Sequence, residues 1–213
     1  MSDKGIFDFD DLDGVLARVA DRLDDSFTGV FSKETIKRYV MESYELLAKN
    51  ATVTVHLPSL TERFAKDRLR ALAQLESKIE KDMPSILFVC VHNAGRSQMA
   101  AALATKLSSG RVEVRSAGSA PSDSIPSTVH AAMNEMGLSL EDAFPKPLTD
   151  EVVRASDVVI TMGCGDACPI YPGKRYEDWS LNDPSELDFE GVKLVRDDIS
   201  NRISELLKEL KVI

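Results

Sequence analysis

The chain has 213 residues, 29% of them charged, with 26 basic against 35 acidic side chains and a formal charge of −9. Residues 1–82 hold 13 basic and 16 acidic side chains and the remainder holds 13 and 19, so neither half offers the basic face that nucleic acid requires. No apolar run opens the chain, its apolar stretches are strand-sized, and three cysteines are too few for a secreted disulfide framework, which together predict a cytoplasmic protein with reduced thiols and no membrane span.

Leu12, Val15, Leu16, Val19 and Leu23 recur at helical spacing, as do Ile36, Tyr39, Val40, Tyr44 and Leu47, and again Phe64, Leu69, Leu72, Leu75 and Ile79. Three amphipathic helices follow, forming a small all-α bundle over residues 1–82. Ser32 is placed to cap the second helix, and Ser59 with Glu62 makes a capping box for the third. The alternating stretch ATVTVHL at 51–57, backed by Pro58, reads as a connection. Stripes of this kind normally form a core. The bundle is expected to serve homodimer formation or placement of the catalytic unit, and not the chemistry itself.

Residues 86–97, ILFVCVHNAGRS, run from a short apolar segment into a turn ending in Arg96 and Ser97. Ile86 to Val89 reads as a buried parallel strand, and Gln98 to Leu107 has the composition of a helix. The loop between them ends at a helix N-terminus, whose unpartnered N–H groups suit a tetrahedral oxyanion. Val91, His92, Asn93, Ala94, Gly95 and Arg96 are the candidate oxyanion-binding residues. Gly95 permits close backbone approach, Asn93 can take a left-handed conformation, and Arg96 supplies a planar fork for two oxygens. Cys90 sees the same field as the anion, which favours the thiolate and makes it a candidate nucleophile. Ser97 is placed to donate a hydrogen bond to its sulfur.

The stretch CVHNAGRSQMA resembles the C-x5-R-S signature of the low-molecular-weight protein tyrosine phosphatases and of the arsenate reductases built on the same fold. The resemblance implies Cys90 as nucleophile, Arg96 as oxyanion clamp and Ser97 as thiolate stabiliser. Two departures stand out. Many family members carry a second cysteine before the arginine, where this chain has Gly95. Some reductases carry a glutamate for a potassium ion where this chain has Ala101, so that ion site is not expected and no metal is predicted.

Downstream, the segment around Val112-Glu113-Val114-Arg115 reads as a strand leading into a Ser/Gly/Pro loop, SAGSAPSD, followed by helices near 126–136 and 149–155 and a strand near 157–161. The segment DVVITMGCGDACPIYPG then breaks into a loop carrying Cys164 and Cys168 just past that strand's end. In an open α/β sheet this edge is where ligands bind, so all three thiols can approach one site. A C-x3-C pair can hold a metal, but His56, His92 and His130 show no matching spacing. The stretch MGCGDACPIYPGKRYEDW resembles the corresponding loop of thioredoxin-coupled arsenate reductases. That resemblance implies a relay in which Cys90 attacks arsenate, Cys164 attacks Cys90, and Cys168 attacks Cys164.

A strand near 174–178 precedes Asp183-Pro184, and a helix near 191–210 closes the chain. Pro184 stiffens the loop and holds the Asp183 carboxyl as a candidate proton donor, the position at which the family places its general acid; Asp178 is a weaker candidate. Where the phosphatases follow this aspartate with a tyrosine pair, this chain has Ser185 and Glu186. The expected fold class is α/β: a three-layer sandwich around a four-stranded parallel sheet over residues 83–213, preceded by the three-helix bundle. By resemblance the expected function is arsenate reduction to arsenite with thioredoxin as external reductant, no bound cofactor, and phosphate and sulfate as competing oxyanions. A phosphatase of phosphate monoesters and a non-enzymatic oxyanion sensor are the alternatives.

Overall fold

The computed structural model describes residues 11–49, 51, 52, 54–163 and 168–213. Strand β1 (Ser85–Cys90) is buried along its whole length, as a strand covered on both faces must be, and its residues are apolar apart from Ser85 at the edge. It pairs in parallel with β2 (Glu113–Gly118) on one side and β3 (Val158–Met162) on the other, and β4 (Arg175–Asp178) completes the order β2-β1-β3-β4. The chain leaves β1 for one neighbour and returns on its far side, so the order reverses at β1. Crevices open at such reversals, beyond the strands' C-terminal ends. Cys90 is in register with Gly118 and Met162 at that edge.

Alternation along β1 sends Ile86, Phe88 and Cys90 to one face and Leu87 and Val89 to the other. The first face is covered by α4 (Arg96–Ser108), α5 (Ser127–Asn134) and α7 (Phe189–Glu209), with Phe88 against Trp179 at 6.0 Å between ring centroids. From α7 alone, Val192, Val195, Ile199, Ile203, Leu206 and Leu207 are buried, each contributing roughly 1.5–3 kcal/mol. The second face is covered by α6 (Asp150–Ala155) and by part of the N-terminal helices.

Helices α1 (Leu12–Ser26), α2 (Lys33–Ala48) and α3 (Leu57–Leu75) share a core built on Leu16, Val19, Leu23, Ile36, Val40 and Leu69. Ser32 caps α2, accepting from the Thr35 N–H at 3.3 Å. Helix α3 begins two residues ahead of the expected capping box. His56 precedes it, Pro58 lies in its first turn where a missing N–H costs nothing, and Ser59 donates to the His56 carbonyl while Glu62 turns to Arg22. It also ends before Ile79: Ser77 takes φ +54 and the Lys78 N–H closes on the Ala73 carbonyl at 2.9 Å. Strand β2 extends through Ser116, Ala117 and Gly118, so SAG is sheet and not loop, because pairing with β1 persists to Cys90. Among the described residues no helix is long and apolar enough to cross a membrane.

The helical unit is not set apart from the sheet. Ala71 of α3 is fully buried among Leu87, Val89, Val153 and Val159, and Arg68 joins Glu151 of α6 at 2.5 Å with 6% and 11% of the two side chains exposed. Arg68 also donates to Ser43 and Glu42 of α2. Arg68→Ala would leave the Glu151 carboxylate buried without its cation, a change expected to cost about 3 kcal/mol. Equilibrium urea unfolding should register it as a lower midpoint at unchanged slope.

Candidate active site

The cradle is shaped by one residue in the left-handed region. Asn93 has φ +47, tolerated by asparagine better than by most side chains, and is fully buried. Its Oδ1 accepts from the Gln98 side chain at 3.1 Å and from the Lys146 N–H at 2.8 Å, while its Nδ2 donates to Ser97 Oγ at 2.8 Å. Ser97 Oγ lies 3.0 Å from Cys90 Sγ. Because Asn93 already donates to Ser97, the serine hydroxyl is free to direct its own proton to the sulfur.

The loop after β2 fastens the other side. The N–H groups of Ser119, Ala120 and Ser122 donate to the carbonyls of Cys90, Val91 and His92 at 3.2, 2.8 and 3.0 Å. By contrast, the N–H groups of residues 92–95 donate to no backbone carbonyl among the described residues. Unmet donors facing a turn at a helix N-terminus are what a tetrahedral oxyanion satisfies. Gly118 is needed here as a bare backbone, since a Cβ would stand 2.7 Å from the Val91 carbonyl oxygen.

Arg96 opens α4 with only 6% exposure. Its guanidinium donates to Asp183 Oδ2 at 2.5 Å and to the Leu181 carbonyl at 3.2 Å. Asp183 caps the short 3-10 turn Pro184–Glu186, accepting from the N–H and hydroxyl of Ser185 at 3.0 and 2.8 Å. Pro184 rests on Gly95, where a Cβ would come within 3.1 Å of the ring. Partial burial raises the Asp183 pKa, but the Ser185 hydrogen bonds, the Arg96 charge and His92 outweigh it and hold the carboxyl below its ordinary range. Cys90, His92, Gly95, Arg96 and Asp183 thus line one cavity of about 270 Å³, together with Ser122 and Ser124.

Cys168 is placed differently. It is buried at 8% exposure among Leu87, Val89 and Val159, on the face of the sheet away from Cys90, and borders a cleft with Thr161, Tyr176 and Asp178. Asp178 accepts from Thr161 in that cleft at 2.6 Å and lies outside the Cys90 cavity. Cys164 falls outside the described residues. The residue before it, Gly163, has φ +77, and a Cβ there would be 3.0 Å from Arg96 Nη1, so β3 delivers the chain directly beside the arginine fork.

Gln98 and the segment 142–147 were not singled out from sequence. Gln98 is 4% exposed and donates to the carbonyls of Asn93 and Phe144, both at 2.9 Å. A polar residue in the first turn of a helix otherwise destined for the core was the available signal for Gln98, and the alternating prolines of FPKP were the signal for the segment.

A parallel sheet carrying a cysteine at its order reversal, a C-x5-R-S turn closed by an asparagine, and an Asp-Pro loop over the arginine define a phosphatase-type oxyanion fold. The chain belongs to the low molecular weight phosphotyrosine protein phosphatase family, which it matches over residues 85–212, and residues 16–73 match the protein-tyrosine-phosphatase-like N-terminal domain. The structure of a thioredoxin-dependent arsenate reductase from Corynebacterium glutamicum is 51% identical and aligns with TM-score 0.85 over 93% of this chain and 98% of that one. The glutaredoxin arsenate reductase of a Synechocystis species is 32% identical over 131 residues, 60% of this chain and 99% of the relative. A tyrosine phosphatase from Erwinia amylovora is 25% identical, with TM-score 0.54 over 60% of this chain and 93% of that one.

A carboxyl with a depressed pKa stabilises the fold above its unfolded pKa and loses that contribution as pH falls through the folded value. Asp183→Asn is therefore expected to lower the melting temperature by roughly 1–4 °C at pH 7. The difference should begin to narrow below about pH 4 and close as pH falls through the lowered folded value, in thermal scans of the two proteins.

Proposed function

We propose that the chain is an arsenate reductase in which Cys90 is the nucleophile and thioredoxin the electron donor. The observation that carries this reading is the Cys90–Ser97–Asn93 hydrogen-bonded line beneath the Arg96 fork, in a chain that runs from β3 past that fork into a C-x3-C segment. The names of the Corynebacterium and Synechocystis relatives support it. A monoester phosphatase uses the same cradle but has no need of Cys164 and Cys168.

Arsenate enters as a tetrahedral oxyanion and is held by the N–H groups of the loop and by the Arg96 fork, as phosphate and sulfate would be in competition. To bind it, Arg96 turns its donors from Asp183 to the anion. Asp183 then loses a cation and gains an anionic neighbour, both of which raise its pKa, so that it can carry a proton to the departing oxygen. The Cys90 thiolate attacks arsenic and that oxygen leaves as water. Cys164 next attacks the Cys90 sulfur, forming a disulfide and returning two electrons to arsenic, which departs as arsenite. Cys168 attacks Cys164, freeing Cys90 and moving the disulfide to the Cys164–Cys168 pair, which a thioredoxin dithiol reduces. Thiols that must rest reduced suit the cytoplasm.

The three cysteines should fail at different stages. Cys90→Ser is expected to abolish arsenate reduction and any phosphate ester hydrolysis, since a hydroxyl is not ionised at neutral pH. Cys164→Ser should stop with arsenic on Cys90. Cys168→Ser should release one arsenite and stall as a Cys90–Cys164 disulfide. Single-turnover arsenite measurement, with peptide mass spectrometry of the sulfur bonds, distinguishes these outcomes, and wild-type turnover by Cys168→Ser with thioredoxin would remove the third step.

Arg96→Lys tests the fork. An ammonium cannot reproduce two parallel hydrogen bonds, so phosphate affinity measured by calorimetry should fall by at least about tenfold.

A further inference from the structure

Arg63 and Asp67 stand one turn apart on α3, both exposed and outside the core that α3 shares with α1 and α2. Both reach across to the catalytic half. Arg63 donates to the Asp142 carbonyl at 2.5 Å and its guanidinium lies 5.1 Å from the centroid of the Phe144 ring. Asp67 pairs with Lys146 at 3.7 Å, and the Lys146 ammonium is likewise 5.1 Å from the Phe144 centroid. Burial lowers the Lys146 pKa, and the Asp67 carboxylate acts to keep the ammonium charged.

The strap that these residues hold, 142–147, is tied on its inner side to the anion loop. The Phe144 carbonyl accepts from Gln98 and the Lys146 N–H donates to Asn93 Oδ1, at 2.9 and 2.8 Å. The Lys146 carbonyl accepts from the Gly118 N–H at 2.8 Å, anchoring the strap to the end of β2. Pro145 and Pro147 fix φ at two of its positions and restrict the residues before them, so the strap is stiff and displacement of one side moves the other. Asn93 is the residue most directly coupled to such displacement, because the side chain that bonds the Lys146 N–H also bonds Ser97 and Gln98.

We propose that Arg63 and Asp67 are positioning residues for the reaction: through the strap they hold Asn93 and Gln98, and with them the oxyanion loop above Cys90, which makes the N-terminal helical unit a working part of the active site. The inference rests on the reading of Cys90 as nucleophile for its effect on turnover, but its effect on anion binding stands apart from that reading. Neither residue lines the Cys90 cavity. Their influence is therefore on geometry, and a misplacement of about 1 Å in such a site is enough for large losses.

The test uses the full-length chain as Arg63→Met, Asp67→Asn, the double variant, and the conservative Arg63→Lys and Asp67→Glu. Arg22→Gln serves as the control, since it breaks an ion pair of the same bundle, with Glu62, that does not touch the strap. Inorganic phosphate is the binding probe, by calorimetry and by protection of Cys90 from iodoacetamide, alongside arsenate turnover with thioredoxin and a melting curve. The double variant is expected to lose about 5–20-fold in phosphate affinity and in kcat/KM for arsenate while melting within a few degrees of Arg22→Gln, and the conservative variants to recover to within about twofold. Phosphate affinity equal to that of the control would overturn the proposal, as would an equal loss in Arg22→Gln. Retained turnover in Cys90→Ser would instead defeat the nucleophile assignment, leaving the phosphate ratio to decide the positioning role alone.

Discussion

The active site depends on holding Asn93 in a conformation that its backbone resists. The residue has φ +47 in the turn that follows Cys90, and its side chain spans three directions at once, to Ser97, Gln98 and Lys146. Each bond serves a different part of the site. The Ser97 contact frees the serine proton for the sulfur, the Gln98 contact ties the loop to α4, and the Lys146 contact ties it to the strap beyond β2. A neutral hydrogen bond contributes only about 1 kcal/mol, so no single one offsets a strained residue, but three of them together can. The same three bonds link Cys90, through Ser97, to α4 and to the strap.

The same economy governs the architecture. A sheet whose order reverses at β1 leaves a crevice at one edge but also leaves two faces to cover, and the helices within residues 85–213 are unequally divided between them. Helices α4, α5 and α7 seal the Cys90 side, whereas the short α6 is too small to seal the other. Helix α3 supplies the missing cover through Ala71, and its buried Arg68 is held by Glu151 from one unit and by Glu42 and Ser43 from the other. The small Ala71 lies at the contact, with Leu75 packed beside it. A bundle that also completes the sheet's second layer has an orientation fixed by packing, a precondition for α3 to reach the strap.

The sequence spoke most clearly where chemistry restricts residue type. A cysteine at the end of an apolar run, followed by Asn93, Arg96 and Ser97, has few structural uses, and strand β1, the turn and α4 were all legible from it. Helical periodicity likewise marked α1, α2 and the middle of α3. Ends were harder. The capping box at Ser59 competed with Pro58, and the proline prevailed because the first turn of a helix has no need of its N–H. The SAG segment looked like a loop by composition, yet its pairing continues β2 and its glycine lets the strand end close to Val91 and Asn93. The strap was least legible, since its prolines announce a break in structure but cannot say what the broken segment holds.

The proposed relay has to carry electrons round the sheet. Cys90 belongs to the apolar layer on one face of the sheet and Cys168 to the layer on the other, so a disulfide cannot pass between them through the strands. The way round is the C-terminal edge of β3, where Gly163 lies beside the Arg96 fork and the next residue in sequence is Cys164. In sequence Cys164 follows Gly163 directly and precedes the buried Cys168 by four residues. Exchange by thiolate attack requires access to sulfur, so the proposed relay requires Cys168, at 8% exposure, to leave its packing against Leu87 and Val159. In the relay proposed for this chain that packing would oppose premature attack on Cys164, with arsenic chemistry on one face and disulfide export on the other.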